Sequence, residues 1–279
     1  MGSWCQGKAC KTHARPGVEG DSRAPFSPIE RDAVSRNPGS DLIEGRLLKR
    51  YKRFLADCNI PVVGEVVAHC PNSGSMKTLI DGEPKAWLRH VPDPARKLKW
   101  TLTLLGVRRR GKALVDTGLP NQLVADAIST GKIPKLLLKS GQKVHREVKV
   151  GEKSRLDIVI AGEDRPDETN GDVYVEVKNV TMLSSVDGDR ADFPDAVTER
   201  GRKHLHELIR LRHMGHRAVL FLLLGRSDCT KVGFASEIDP AYCESLKQAA
   251  AEGVEIISHQ LRFRGSKIFM GDEVVVELP

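Results

Sequence analysis

The sequence predicts an α/β protein with a small all-β domain in front of a larger α/β domain. Between residues 45 and 116, five short strand-like runs follow one another, as in a small barrel. The second half instead shows the order helix, three strands, helix, strand, and one of its strands is fully apolar. That order is typical of a layered α/β domain with a mixed central sheet. A chain of 279 residues has room for two such domains.

The first 40 residues differ in composition from the rest. They contain Pro16, Pro25, Pro28 and Pro38, scattered glycines and mixed charge, with hardly any apolar periodicity. Such a segment cannot bury enough apolar surface to offset the entropy lost on ordering. We therefore predict that residues 1–40 form a disordered amino-terminal extension.

The barrel domain is predicted to cover residues 41–116. Turn-forming pairs such as Asp81 with Gly82 separate its strand-like runs. The predicted strands are 45–58, 61–70, 85–91, 99–107 and 112–116.

Basic and aromatic side chains are interleaved near the start of this domain. Tyr51 and Phe54 lie among four cations in the segment 49–54. Phosphate contacts combined with aromatic stacking suit single-stranded nucleic acid. The same aromatics would equally fit the core of a barrel, with the cations as its solvated edge, so both interpretations stay open. The candidate nucleic-acid contacts are Lys49, Arg50, Lys52, Arg53 and, in the loop 71–78, Asn72.

The second domain is predicted to cover residues 117–279. Asn121 stands where it could cap a helix, and Pro240 is well placed to open another. Helices are predicted at 121–129, from 198 or 199 to about 214, and at 240–251. Strands are predicted at 145–150, 155–160, 173–178, 218–224 and 254–258.

A charge pattern on two neighbouring predicted strands indicates chemistry. Asp157 lies on the first strand, and Glu176 and Lys178 follow on the second in the order D…ExK. Side chains two apart on a strand share a face, so we expect Tyr174, Glu176 and Lys178 on a polar face. If the strands are adjacent, the two carboxylates meet and repel unless a cation lies between them. Mg²⁺ needs only one or two carboxylates in addition to water and phosphate oxygens.

Each of these residues also has a simpler interpretation. An ExK tripeptide is usually a solvated charge pair on a strand. In the functional interpretation, the Val177 carbonyl is a candidate third ligand, and Lys178 orients the attacking water or stabilises the phosphorus transition state. Glu147, on the strand before Asp157, is a candidate outer ligand or acid, or else a sheet-surface ion pair.

Composition narrows the class of partner. Lys and Arg number 44 against 37 Asp and Glu, for a net charge of +7 and a pI of about 9.1, which favours a polyanionic partner such as nucleic acid. The six cysteines form no C-x-x-C pair, which argues against zinc ribbons and a disulfide framework and for reduced thiols in the cytoplasm. No apolar run is long enough to span a membrane.

Several longer motifs are similar to a known family. They are the segments 49–57, 69–76, 154–157, 175–181 and 193–204. From about Glu44 to the carboxyl end, the sequence closely resembles the sugar fermentation stimulation protein A (SfsA) family. One departure is Arg202, which stands where we expect Gln in many relatives.

The resemblance implies an OB-like barrel followed by a restriction-endonuclease-like domain of the PD-(D/E)XK nuclease type, in proteins described as DNA-binding. Asp157, Glu176 and Lys178 then fall on that superfamily's metal and catalytic positions. Because the motif 193–204 is highly distinctive, we expect Arg200, Lys203 and His204 to contact nucleic acid at a helix start.

Two functions of different classes follow from these observations. One is a nuclease that uses Mg²⁺ or Mn²⁺ to hydrolyse DNA phosphodiester bonds. The alternative is a non-catalytic DNA-binding regulator of sugar (maltose-type) metabolism that uses the nuclease-like domain as a scaffold. RNA stays open as the polyanion because backbone contacts need no readout of the 2′-hydroxyl, and a homo-oligomer stays open too.

Overall fold

The structure is a computed structural model that describes residues 42–61, 63–150, 154–162, 171–185 and 188–279. The extension predicted at 1–40 lies outside the described residues, as do most of the turn at 151–154 and of the loop at 161–172. The described residues belong to one compact unit. Its first part contains the strands β1 (Leu42–Tyr51), β2 (Leu55–Ile60), β3 (Gly64–His69), β4 (Lys85–His90), β5 (Trp100–Val107) and β6 (Gly111–Leu114).

The strands β1 to β5 close into a small barrel, and β6 pairs with β5 beside it. Their order is β3-β2-β1-β4-β5-β6, and a parallel pairing of β3 with β5, which joins Ala68 to Trp100, closes the ring. Inside it, Leu47, Leu88 and Leu102 are essentially fully buried. Apolar side chains that point inward from each strand therefore fill the interior. Tyr51 is partly buried and Phe54 is exposed, so Phe54 is not part of this core.

The first predicted strand, 45–58, proved wrong because it is two strands. Lys52 and Arg53 have φ angles of 47° and 64°, which belong to the left-handed region and interrupt extended backbone. The chain therefore turns at 52–54, and β2 pairs back antiparallel onto β1. This turn places cationic side chains at the tip of a hairpin.

The second part is the predicted α/β domain. Its helices are α1 (Pro120–Ser129), α2 (Glu199–His213) and α3 (Pro240–Ala251). Its strands are β7 (Gln142–Val150), β8 (Ser154–Gly162), β9 (Val173–Val180), β10 (Met182–Leu183), β11 (Arg190–Phe193), β12 (Arg217–Leu224), β13 (Lys231–Phe234), β14 (Glu255–Arg264), β15 (Lys267–Glu273) and β16 (Val275–Val276).

A six-stranded mixed sheet with the order β15-β14-β12-β9-β8-β7 forms the centre of this domain. The pairs β9–β12 and β12–β14 are parallel, whereas β7–β8, β8–β9 and β14–β15 are antiparallel. Helix α1 packs on one face of the sheet, where Val175 and Val177 of β9 point toward it. Helices α2 and α3 cover the other face, over Tyr174. The strand β9 therefore runs between two apolar cores.

Because helices cover both faces of the sheet, the prediction of a polar face on β9 is wrong. The face of β9 that carries Tyr174 and Glu176 was expected to be polar, yet Tyr174 is 0% and Glu176 1% exposed. A strand in the middle of a sheet with helices on both sides loses contact with solvent on both faces. The sequence also did not predict the small sheet β10-β11-β13-β16, whose strands are only two to four residues long.

One carboxylate joins the starts of two helices. Thr198 caps α2 by accepting a hydrogen bond from the Gly201 amide at 3.0 Å. Asp239 caps α3 by accepting from the Tyr242 amide at 2.9 Å, and its other oxygen accepts from the Thr198 amide at 2.8 Å. The predicted starts of α2 and α3 are confirmed. No helix in the described part of the chain is long and apolar enough to cross a membrane.

Candidate functional site

Strand pairing brings the two predicted carboxylates together. Strands β8 and β9 are antiparallel, with Ile158 opposite Val175, so Asp157 and Glu176 lie at the same end of the pair. The Val177 amide donates a hydrogen bond to Asp157 Oδ2 at 2.8 Å. The charge of Glu176 acts on Asp157, as expected of carboxylates that are close in space.

Asp157 lies between α1 and the sheet, where its partners are neutral. Asn121 donates to Asp157 Oδ1 at 2.7 Å and to Glu147 Oε1 at 3.0 Å. We call Asn121, Glu147 and Asp157 the α1 side of the site. Glu147 is exposed and has a φ of 54° in the middle of β7, a conformation uncommon outside glycine. The structure thus brings the candidate outer acid close to the predicted metal ligand.

The predicted cap role of Asn121 is wrong. Helix α1 begins at Pro120 with Leu119 as the N-cap residue and has no side-chain cap. Asn121 is free to turn toward the sheet because α1 packs directly on it. The sequence alone offers no signal for this choice, since an amide at a helix start suits either role.

Glu176 lies on the opposite side of the site, between α2 and the sheet. Lys178 Nζ is 2.5 Å from Glu176 Oε1, and His204 Nδ1 donates to the same oxygen. We call Glu176, Lys178 and His204 the α2 side of the site. His204 hydrogen-bonds the buried Glu176 carboxylate, and its predicted contact with nucleic acid stays a prediction. The sequence did not predict this hydrogen bond, although it singled out the motif 193–204 that contains His204.

The two carboxyl groups have opposite pKa shifts. Burial, followed by the charge of Glu176, raises the pKa of Asp157 from 3.8 to about 6. Burial also acts to raise the pKa of Glu176, but His204 and Lys178 together outweigh it and hold that pKa below the ordinary value. Neutral donors therefore leave Asp157 under-compensated, whereas Glu176 is already stabilised as an anion.

The donor set fits a hard divalent cation. Glu176 Oε2 is buried and has no hydrogen-bond partner, and such an atom ordinarily needs one. Two carboxylates and the Val177 carbonyl would offer oxygen ligands of the kind that Mg²⁺, Mn²⁺ and Ca²⁺ prefer. Among the described residues, no group of three or more His, Cys, Asp or Glu side chains could hold a metal, so a cation here would draw its remaining ligands from water, carbonyl or phosphate.

A cleft of ≈ 510 Å³ opens beside these residues. It is lined by Val177, Lys178 and Asn121 and by residues 71–74 at the start of the barrel loop. The segment 192–198, which leads into α2, also lines it. The site therefore faces a space bounded by both parts of the molecule.

The predicted nucleic-acid contacts on the barrel divide into three groups. Arg53 and Asn72 line the cleft, and Lys49 and Lys52 are exposed on the same hairpin without lining it. Arg50 differs, because its guanidinium donates to the main-chain oxygens of Asn72 at 2.8 Å, Gly74 at 2.9 Å and Arg53 at 3.0 Å. Arg50 therefore holds the barrel loop in shape.

Arg200 and Lys203 are exposed on the first turns of α2. Arg200 Nε lies 3.5 Å from His204 Nε2, so Arg200 lies next to the α2 side. Lys203 instead lines a separate pocket with His206 and Ser245. The contact of Arg200 and Lys203 with nucleic acid stays a prediction.

Two family models match most of the described chain. Residues 48–115 match the SfsA N-terminal OB domain, and residues 118–267 match the sugar fermentation stimulation protein RE domain. A sugar fermentation stimulation protein homolog from Marinomonas sp. (strain MWYL1) is 43% identical over 85% of this chain and 89% of its own. A homolog from Rhodospirillum rubrum is 47% identical over 77% of this chain and 88% of its own.

A solved structure has the same fold. The structure of Pyrococcus furiosus SfsA in complex with Ca²⁺ matches with a TM-score of 0.73 at 27% identity, over 85% of this chain and 96% of that chain. Together with the family models, this match confirms the predicted OB-like barrel followed by an α/β domain with a mixed sheet.

Proposed function

The chain belongs to the SfsA family, and on that premise we propose that it binds DNA and hydrolyses its phosphodiester bonds with Mg²⁺ or Mn²⁺. One observation carries the proposal: Asp157 and Glu176 lie side by side just beyond the paired stretch of β8 and β9, with Lys178 on Glu176 and one Glu176 oxygen left without a partner. The order D…ExK resembles that of PD-(D/E)XK nucleases, and this resemblance supports the proposal.

The residues around the cation divide the work. Asp157, Glu176 and the Val177 carbonyl would hold the ion, which when bound activates water and neutralises charge on the phosphate. The Lys178 ammonium lines the cleft beside that position and stabilises the negative charge that develops on the phosphorus oxygens. His204 fixes the Glu176 carboxylate through its hydrogen bond and so preorganises the site.

The Ca²⁺ of the P. furiosus structure supports a divalent cation here. Ca²⁺ and Mg²⁺ are both hard cations that prefer oxygen ligands, although Mg²⁺ binds at shorter distances and keeps more water. Mg²⁺ or Mn²⁺ as the working ion is therefore our proposal.

Cations near the cleft are arranged to bind the DNA backbone. Arg53 and Asn72 line the cleft, and Lys49 and Lys52 extend the positive surface along the hairpin. Lys203 provides a further cation near the start of α2. Phosphate contacts of this kind supply most of the sequence-independent affinity for DNA and weaken as salt rises.

A cleavage assay tests the proposal. Purified protein is incubated with single- and double-stranded DNA and with RNA, in Mg²⁺, Mn²⁺ or a chelator. We expect metal-dependent cleavage that Lys178→Met reduces by about 100-fold or more. The matched control is Lys247→Met, because Lys247 is exposed on α3, and it should leave cleavage unchanged.

Two results would contradict the nuclease, and a third would change only its substrate. Salt-sensitive DNA binding without turnover in any metal would favour the non-catalytic regulator. Equal cleavage by wild type and Lys178→Met would point to a contaminating nuclease. Cleavage confined to RNA would keep the chemistry and replace the substrate.

A further inference from the structure

The barrel loop, residues 71–78, lines the cleft with its first four residues and is hydrogen-bonded to the α/β domain near both ends. Near its start, the Thr117 hydroxyl donates to the Pro71 oxygen at 3.2 Å. At its far end, the Leu183 amide donates to Thr78 Oγ1 at 3.1 Å. Between these points Gly74 lies so close to Asp195 that an added Cβ would be 2.3 Å from its carboxylate oxygen.

The loop is also held in shape from within. Arg50 donates to the oxygens of Asn72 and Gly74, and the Gly74 amide donates to the Asn72 side chain at 2.8 Å. A segment with this many internal and external hydrogen bonds is expected to open rarely. The loop is therefore a fixed part of the lining that it shares with Lys178 and Asn121.

The cleft is partly open to solvent and has the volume of a small ligand. Its ≈ 510 Å³ falls within the range of about 300–1,000 Å³ that holds one small ligand. This volume suits a single nucleotide, whereas a paired double helix is far larger. A base that is still stacked and paired must first leave its helix, which costs free energy.

The segment 192–198 forms a wall of the cleft that suits a base better than a phosphate. Phe193 lines the cleft and is only partly buried. Its ring packs against the core and makes a T-shaped contact with the buried Tyr242 at a centroid distance of 5.2 Å. Aromatic rings support unpaired bases by stacking. Asp195 on the same wall is an anion and disfavours a phosphate there, so the phosphate belongs at the Lys178 end.

From this arrangement we propose that the site acts on single-stranded DNA, seating one unpaired nucleotide in the cleft with its base on Phe193. The proposal rests on the nuclease function above and specifies its substrate class. Continuous duplex reaches the site only where it frays or carries an unpaired segment.

Three DNA substrates test this. They are an unstructured single strand, a covalently closed duplex without ends, and the same closed duplex with an unpaired loop. We expect the single strand and the loop to be cleaved about tenfold or more faster than the fully paired duplex. Binding to each is measured separately by fluorescence anisotropy in a chelator, so that affinity is known even without cleavage.

A matched pair of variants tests the stacking wall. Phe193→Leu keeps an apolar side chain against Tyr242 but removes the flat ring, and we expect it to weaken single-strand binding about tenfold. Phe269→Leu makes the same change at an exposed position on β15 and should leave binding unchanged.

The outcomes separate this proposal from the nuclease function. Tighter binding of the single strand without any cleavage supports the substrate class and overturns the chemistry. Equal cleavage of all three DNAs supports the chemistry and overturns the substrate class. A Phe193→Leu variant that binds the single strand as wild type does removes the stacking role.

Discussion

The two sides of the site stabilise their carboxylates in different ways. On the α1 side, Asp157 accepts hydrogen bonds from the Asn121 amide and the Val177 amide, both neutral. On the α2 side, Glu176 accepts from the Lys178 ammonium and the His204 imidazole. The pKa of Asp157 accordingly rises to about 6, whereas that of Glu176 is lowered.

This difference shows where the site has capacity for a cation. Glu176 is nearly compensated by its own protein partners, so its ionised form is stable in the metal-free protein. Burial and the charge of Glu176 outweigh the compensation that Lys178, Val177 and Asn121 give Asp157, and the protein bears that cost in the absence of metal. A bound cation would recover this free energy. We therefore expect changes at Asp157 to alter metal binding most, and changes at Glu176 to lower the stability of the metal-free protein most.

The largest effect is expected on the α2 side, at Glu176. Glu176→Ala removes the shared acceptor and leaves the half-buried Lys178 and His204 without their anion, which we expect to destabilise the protein by about 3 kcal/mol. Glu176→Gln keeps an acceptor oxygen at the same place and should lose clearly less stability than Glu176→Ala. Urea unfolding of the two variants measures the comparison, and equal stability losses would mean that the hydrogen bonds contribute little.

On the α1 side, Asp157→Asn is expected to change the stability of the protein in the opposite direction. The Asp157 carboxyl has a pKa of about 6 against an ordinary 3.8, so the unfolded chain releases its proton first and stability falls as pH rises between these values. Removing the charge should therefore stabilise the metal-free protein by about 1–2 kcal/mol at neutral pH. Below about pH 4 the Asp157 carboxyl is protonated in both the folded and the unfolded wild type. Thermal unfolding should therefore show no stability gain from Asp157→Asn at that pH. A loss of stability at neutral pH would contradict the comparison.

Metal response in the wild type should depend on pH for the same reason. Protonated Asp157 is a poor ligand, so Mg²⁺ affinity should fall about tenfold per pH unit below pH 6. The rise in Tm with Mg²⁺ at several pH values measures this. A response that is unchanged down to pH 5 would show that Asp157 does not bind the ion.

The smallest effect is expected at Asn121. Asn121→Ala removes the donor that orients Asp157 and Glu147, and we expect about tenfold weaker Mg²⁺ binding with little change in metal-free stability. Gln122→Ala, a neighbouring change on the same helix, is the control. Equal effects of the two variants would assign the loss to α1 rather than to the amide.

Much of the fold and the charged core of the site could be predicted from the sequence. Asp157, Glu176 and Lys178 stand out because strand alternation and antiparallel pairing act over a few residues. His204 and Asn121 could not be assigned, because their roles depend on which helix covers which face of β9. Tyr174 was misplaced for the same reason, since burial of a strand face is decided by the rest of the chain.

The barrel loop illustrates a second limit. Gly74 and Asp195 are far apart in sequence, and no local pattern announces that they touch. The turn at Lys52 and Arg53 was missed for a different reason, because these residues seldom adopt a left-handed conformation. Long-range contacts and unusual backbone angles are therefore what the structure added.

The carboxylate that links α2 and α3 has a consequence for how this protein can change over evolution. Asp239 serves the Thr198 and Tyr242 amides at once, and a Cβ at Gly201 would lie within 3.0 Å of both Thr198 and Tyr242 side chains. Substitutions at these four positions should therefore be strongly non-additive. Across homologous sequences they should be replaced together or retained together, independently of drift at the exposed cations around them.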